Sequence, residues 1–159
     1  MFRLTWFEVP VPSGLEVRQV YGFIFGLDGR LLVLEDEGSF NLLGGKPEKS
    51  ESLKETLVRE SLEEGQALIG SAEYLGYQCV EGEEHFAQVR LVALLDQLLP
   101  AAADPSTGKQ YRRMWVPYSQ VNELLGWGES GDQQVASAVV SASKMGVSWD
   151  GTAIEYITV

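Results

Sequence analysis

The stretch from Gly45 to Glu64 narrows most what this chain can build. A glycine turn, Gly45-Lys46-Pro47-Glu48-Lys49-Ser50, leads to a single carboxylate at Glu51, and seven residues later comes the cluster Arg59-Glu60-Ser61-Leu62-Glu63-Glu64. Glu60, Glu63 and Glu64 stand at i, i+3 and i+4, so a helix would bring them to one face. Like charges on one face repel and cost stability unless a cation joins them. Mg²⁺ is the simplest such cation, because it takes oxygen ligands and usually arrives with substrate phosphates.

The surrounding pattern supplies a frame for that helix. Leu15 to Gly26 is rich in Val, Tyr, Phe and Ile and predicts a strand. Asp28-Gly29 is a hairpin signal, and Leu31 to Leu34 predicts the partner strand. Asn41 to Pro47 is expected to be a loop by its glycines and proline. Glu51 to Glu64 predicts a helix, with Ser50 as N-cap and Gly65 as its stop. At about 100° per residue, Leu57, Val58, Ser61 and Leu62 form its packing side, with Leu53 near the border, and the glutamates occupy the adjoining side.

Ala72 to Val80 and Phe86 to Leu95 predict two more strands, joined by the turn Glu81-Gly82-Glu83-Glu84. Leu98 to Gly108 predicts a surface loop, Tyr111 to Val116 a strand, and Val121 to Leu125 one or two helical turns. Asp132 to Met145 predicts a helix stopped by Gly146, and Thr152 to Val159 a terminal strand. With no repeat or long linker, residues 1–159 are expected to form one mixed α/β domain.

Composition limits the partners. A net charge of -11 argues against duplex nucleic acid or an anionic membrane. It also poses a problem for an enzyme acting on phosphates, which bound metal and local basic residues would have to solve. The single cysteine, Cys79, excludes an internal disulfide and any Cys-based zinc site, and is expected to be a buried small hydrophobe. No apolar run reaches the roughly 18 residues of a membrane span, and Met1 to Pro12 lacks a signal pattern. A cytoplasmic protein is the expectation.

The Gly45-to-Ala67 segment resembles the Nudix box: Gly, five residues, Glu, seven residues, Arg-Glu, an apolar residue, any residue, Glu-Glu, any residue, Gly, an apolar residue. Gly45, Glu51, Arg59, Glu60, Glu63, Glu64 and Ala67 match in place. Phe40-Asn41-Leu42-Leu43-Gly44-Gly45 is similar to the family's lead-in, with Leu43 at the usual proline, and Trp115-Val116-Pro117 leading into a helix also fits. Two positions depart. Ser61 takes an apolar slot, and Gln66 takes the glycine, with a glycine one residue early at Gly65. Because glycine adopts the left-handed conformation readily and glutamine does not, a reshaped helix end is expected beside Glu64.

The resemblance implies a Nudix-like α/β/α sandwich with a mixed β-sheet. It further implies metal-dependent hydrolysis of a pyrophosphate link in a nucleotide-type small molecule. Glu60, Glu64, Glu63 and the Gly45 carbonyl would hold Mg²⁺, with Mn²⁺ as the alternative ion. Glu60, Glu63, Arg59 and Glu51 would form the catalytic set, Arg59 by orienting carboxylates. A general base would come from outside the box, for which Glu81, Glu83, Glu84 and His85 are candidates. Lys109, Arg112 or Arg113 could meet phosphates, with Arg112 and Arg113 on opposite strand faces. Trp6, Tyr21, Phe23 and Tyr77 could stack a base or fill the core, and Trp127 is expected to anchor a loop. A homodimer is left open. The competing reading is a non-catalytic nucleotide-binding or sensing module.

Overall fold

The computed structural model describes residues Met1–Val159. The strands are β1 (Arg3–Phe7), β2 (Val17–Phe25), β3 (Arg30–Asp36), β4 (Ser39–Asn41), β5 (Leu43–Gly45), β6 (Ala67–Glu81), β7 (His85–Leu98), β8 (Arg112–Pro117) and β9 (Glu155–Tyr156). The helices are α1 (Leu53–Gly65), α2 (Tyr118–Leu125) and α3 (Gly128–Lys144). All strands join one sheet in the order β1-β6-β7-β2-β3-β8-β9, with β4 on β3 and β5 on β2. The β2–β7 pair is parallel and its neighbours are antiparallel, so the sheet is mixed, as expected for an α/β/α sandwich.

Alternation along β2 explains the layers. Val20 and Ile24 point to one face and Phe23 and Phe25 to the other, and each pair joins a different core. The first core packs Leu57 of α1 against Val20, Ile24, Leu32, Leu43, Val89 and Leu91. The second packs Val121 of α2 and Val135, Ala138 and Ala142 of α3 against Phe23, Phe25, Val33 and Met114. Spacing of i, i+3 and i+7 puts the three α3 side chains on one stripe.

Several boundaries differ from the sequence pattern. The Asn41–Pro47 loop contains the end of β4 and all of β5, because Val20, Tyr21 and Gly22 pair with Gly45, Gly44 and Leu43. Arg3–Phe7, not anticipated as a strand, pairs with β6 from Phe7↔Tyr77 to Arg3↔Glu81. The terminal strand shrinks to Glu155–Tyr156. The expected packing side of α1 also changes. Thr56, Leu57, Ser61 and Gly65 are buried, whereas Val58 and Leu62 are 39% and 41% exposed. Small residues at Ser61 and Gly65, one and two turns beyond Leu57, let the helix sit closer to the sheet than a leucine stripe would allow.

Candidate active site on helix α1

The start of α1 is fixed by a capping box at Ser52, not by Ser50. The Ser52 hydroxyl accepts the Glu55 N–H at 3.1 Å, and the Glu55 carboxylate accepts the Ser52 N–H at 2.8 Å. Ser50 instead sits at φ 70° in the turn before the helix. The sequence carried the distinction: three residues after Ser52 is a glutamate, and three after Ser50 is a leucine. Glu51 therefore lies outside the helix. Its carboxylate accepts from the Glu48 N–H and the Thr56 hydroxyl, which anchors the glycine turn to the first helical turn.

Arg59 is the hub of the acidic cluster. It forks onto Glu51, with Nε to Oε2 at 2.7 Å and Nη2 to Oε1 at 3.0 Å. Nη1 donates to Glu60 at 2.9 Å and lies 3.6 Å from Glu63, while Nη2 also donates to the Lys46 carbonyl. Two parallel charge-assisted bonds give strength and fix direction. The fork, together with the Glu48 N–H, holds the Glu51 carboxyl down to about 2. Arg59 thus ties Glu51 and Glu60 to one guanidinium.

Glu60 and Glu64 reach from the helix to β5. The Gly44 N–H donates to Glu64 Oε1 at 2.9 Å. A Cβ on Gly45 would lie 2.6 Å from the Glu60 carboxylate, so only glycine lets the two meet. Burial raises the Glu60 carboxyl against the pull of Arg59. Burial pushes Glu64 up to about 8, aided by the charges of Glu60, Asp104 and Glu63, despite the Gly44 bond. Buried negative charge with a single arginine among it, and oxygen-only donors, fits a hard divalent cation. Glu60, Glu63, Glu64 and the Gly45 carbonyl are the residues that could hold it.

The helix ends one residue later than expected, and the reason lies at the two positions that depart from the family pattern. Gly65 is the last helical residue, and a Cβ there would meet Leu43 Cδ2 at 2.5 Å. Gln66 itself takes the left-handed conformation, φ 50° and ψ 36°, where glycine would have been free of strain. Its side chain offsets part of that cost by donating to the Glu63 carbonyl at 3.1 Å and accepting from the Ala102 N–H at 3.1 Å. Arg113, buried, donates to the carbonyls of Gly65, Leu99 and Val159. The helix end keeps its course, and Glu64 stays docked on Gly44.

Asp104 was not singled out by sequence. It sits in the expected surface loop yet is 3% exposed, with its carboxylate bonded to the Ser106 N–H and hydroxyl. Its charge raises both Glu60 and Glu64. The Asp-Pro-Ser sequence signals a turn; only the tertiary packing brings that turn to the glutamates.

Most of the other candidates are engaged elsewhere, and Glu83 is exposed on its turn. Glu81 pairs with Arg3 and Glu84 with Arg18. His85 Nε2 lies 3.2 Å from Cys79 Sγ, and with Glu81 these offer three metal-type donors within 4.8 Å of one another. That mixed set was not anticipated from a lone cysteine, but its sulfur and nitrogen do not match the hard ion the box implies. Cys79 is buried, as expected. Lys109 pairs with Asp36 and Arg112 with Glu35. Phe23 and Tyr77 are core residues, whereas Tyr21 and Trp127 line a cavity beside Arg90, a residue that no motif singles out. A cavity of about 750 Å³ between α2 and α3 contains no residue of the box.

The fold is an α/β/α sandwich carrying a glutamate-lined helix against a glycine turn. The NUDIX domain model matches residues 16–138, so the chain belongs to the Nudix hydrolase family. No curated protein matches it significantly. A NUDIX hydrolase structure from Nitrosomonas europaea is similar at 17% identity and a TM-score of 0.64, covering 81% of this chain and 90% of that one. A pyrophosphohydrolase from Bacillus subtilis is similar at 24% identity and a TM-score of 0.56, covering 63% of this chain. That match spans 64% of the Bacillus chain, just under two thirds of its length. A MutT protein from Methanosarcina mazei is similar at 18% identity and a TM-score of 0.56, covering 83% and 99% of the two chains.

No helix is long and apolar enough to cross a membrane.

Proposed function

We propose that this protein hydrolyses a pyrophosphate bond in a nucleoside diphosphate linked to another moiety, using Mg²⁺ or Mn²⁺ held on α1. Glu60 and Glu64 meet the β5 turn at Gly45 and Gly44, and Arg59 bonds Glu60 and approaches Glu63; that arrangement carries this reading. The pyrophosphohydrolase among the similar structures agrees with it in kind. Bound there, the ion would supply charge neutralisation at the diphosphate oxygens and a lowered pKa for an attacking water.

Phosphoryl chemistry asks the protein mainly for position and charge. Glu60 and Glu64, one turn apart, are the principal ligands, and Glu63 and the Gly45 carbonyl are further donors. Gly44 sets the direction of Glu64 through its N–H. Arg59 is a positioning residue, tying Glu60 to Glu51 and to the Lys46 carbonyl. The sensor alternative has two motives, the displaced glycine and the unassigned general base. Gln66 takes the left-handed conformation that position needs and Glu64 meets the Gly44 N–H, which weakens the first motive and leaves the second to the turnover test.

The test is release of phosphate-bearing products from a panel of nucleoside triphosphates, nucleotide sugars and dinucleotides with Mg²⁺ and Mn²⁺. At least one substrate should turn over, and Glu60→Gln should lower that turnover by about 10²-fold or more, the scale of losing one preorganised charge contact. Wild-type turnover in both Glu60→Gln and Glu64→Gln would overturn the proposal.

A further inference from the structure

The β6–β7 hairpin carries a second group of metal-type side chains, apart from the glutamates of α1. Cys79 and Glu81 stand two residues apart on β6, so they share one face of the sheet. His85 opens β7 directly opposite Glu81, and Ala87 stands opposite Cys79. The register runs without a shift from Tyr77 to Glu81, so the three donor side chains meet across a regular ladder. β1 holds the other edge of β6, with Arg3 beside Glu81 and Thr5 beside Cys79.

The sulfur, the ring nitrogen and a carboxylate oxygen lie within 4.8 Å of one another, and His85 Nε2 is 3.2 Å from Cys79 Sγ. Zinc takes thiolate at about 2.3 Å and imidazole at about 2.0–2.1 Å, so two such ligands on one tetrahedral ion lie about 3.5 Å apart. The Cys79–His85 pair is close to that spacing already. Glu81 is the adjustable member. Its side chain is 40% exposed and its partner Arg3 is 74% exposed, and so open an ion pair contributes little. Turning the carboxylate from Arg3 toward an ion therefore costs little.

Cys79 is buried and His85 is exposed, so the sulfur lies below the surface while the imidazole meets water. Burial, with the charge of Glu81, pushes the Cys79 thiol up against the weaker pull of Arg3. A divalent cation reverses that balance, because a coordinating thiol gives up its proton. Sulfur and imidazole select against Mg²⁺, and a carboxylate beside them suits Zn²⁺. A single cysteine cannot form the multi-thiolate sites that sequence spacing signals. Strand register here supplies the other donors.

We propose that Cys79, Glu81 and His85 bind one Zn²⁺ at the turn end of the β6–β7 hairpin, a site distinct from the carboxylate face of α1. Three protein ligands leave a fourth position for water. The ion ties β6 to β7 across the Gly82-Glu83-Glu84 turn and adds its binding free energy to the folded state. The site shares no residue with Glu60, Glu63, Glu64 or Gly45, and it does not rest on the hydrolase reading.

The test is Co²⁺ titration of the intact protein in excess Mg²⁺, followed by absorption. A thiolate bound to Co²⁺ gives a charge-transfer band in the near ultraviolet that oxygen ligands do not give. The wild type should develop that band, and Zn²⁺ should remove it by displacing Co²⁺. Cys79→Ser should abolish it. His85→Ala, at an exposed position, should weaken Co²⁺ binding by about tenfold or more, at least the scale of losing a ligand's supporting contact. That variant carries the test should Cys79→Ser not fold. Glu60→Gln should leave the band unchanged. Saturation with Co²⁺ without the band would overturn the proposal and make the Cys79–His85 contact a hydrogen bond only. Equal Co²⁺ affinity in His85→Ala would overturn it too, as would loss of the band in Glu60→Gln. Absence of turnover on every substrate, with the band intact, would overturn only the hydrolase reading.

Discussion

The carboxylate face on α1 and a row of hydrogen-bonded glutamine amides across β6, β7 and β2 are assembled by opposite means. The carboxylate face is local. Helical spacing brings Glu60, Glu63 and Glu64 together within a single turn, and a short loop delivers Gly44 and Gly45 to them. The amide row is long-range. Its three glutamines come from positions 19, 78 and 88, and only strand register makes them neighbours. Their electrostatics differ too. The first site gathers anions around one arginine and fits a cation. The second is a chain of neutral amides ending on a buried arginine whose Nη1 has no partner.

The comparison breaks most sharply at Gly45. Gly45→Ala places a methyl 2.6 Å from the Glu60 carboxylate. Displacing that ligand should cost about 10²-fold in metal-dependent turnover, the scale of a misplacement near 1 Å. Steady-state kinetics checks this, and wild-type turnover in the variant would show that the close approach at Gly45 does not position Glu60.

Arg59→Ala should lower turnover about 10–100-fold, as for other residues that orient a ligand. Metal affinity should fall with it, since Glu60 loses its 2.9 Å bond and Glu51 its fork. Arg59→Lys should recover little, because an ammonium cannot reproduce the fork. Intact metal affinity in Arg59→Ala would remove Arg59 from the account.

Metal-free stability should follow the buried carboxylate. Glu64 titrates at about 8 when folded, against 4.5 as an ordinary carboxyl. The folded state therefore binds the extra proton between those values, so this contribution is full below pH 4.5 and is lost as pH rises to about 8. Thermal melting in EDTA should show that decline, Glu64→Gln should flatten it, and Mg²⁺ should stabilise more at pH 8 than at pH 5. A smaller effect lies at Ser61, whose buried hydroxyl has no hydrogen-bond partner. Ser61→Ala should raise stability by about 1–2 kcal/mol, measured by denaturant unfolding.

The same contrast explains what could be read from sequence. The box, its helix and the nearness of Arg59 to the box carboxylates were legible because their contacts lie within about twenty residues and follow helical spacing. The Ser52 cap was legible as well, through Glu55, though Ser50 is the nearer choice by position alone. Val58 and Leu62 mislead because hydrophobicity suggests a packing face, whereas the close approach at Gly65 selects the small-residue side. Gln66 looks like a defect until its amide is seen to tie Ala102 and the Glu63 carbonyl. Asp104, Arg90 and the glutamine row were beyond reach, because nothing near them in the chain fixes which strands become neighbours or how their registers align.

Helix α1 is expected to present a metal face. Mn²⁺ titration followed by electron paramagnetic resonance tests it most directly, on the wild type, Glu60→Gln and Glu64→Gln. The wild type should take up Mn²⁺, Mg²⁺ should compete it off, and each substitution should weaken uptake at least tenfold while the fold persists. Equal Mn²⁺ affinity in all three proteins would contradict the claim.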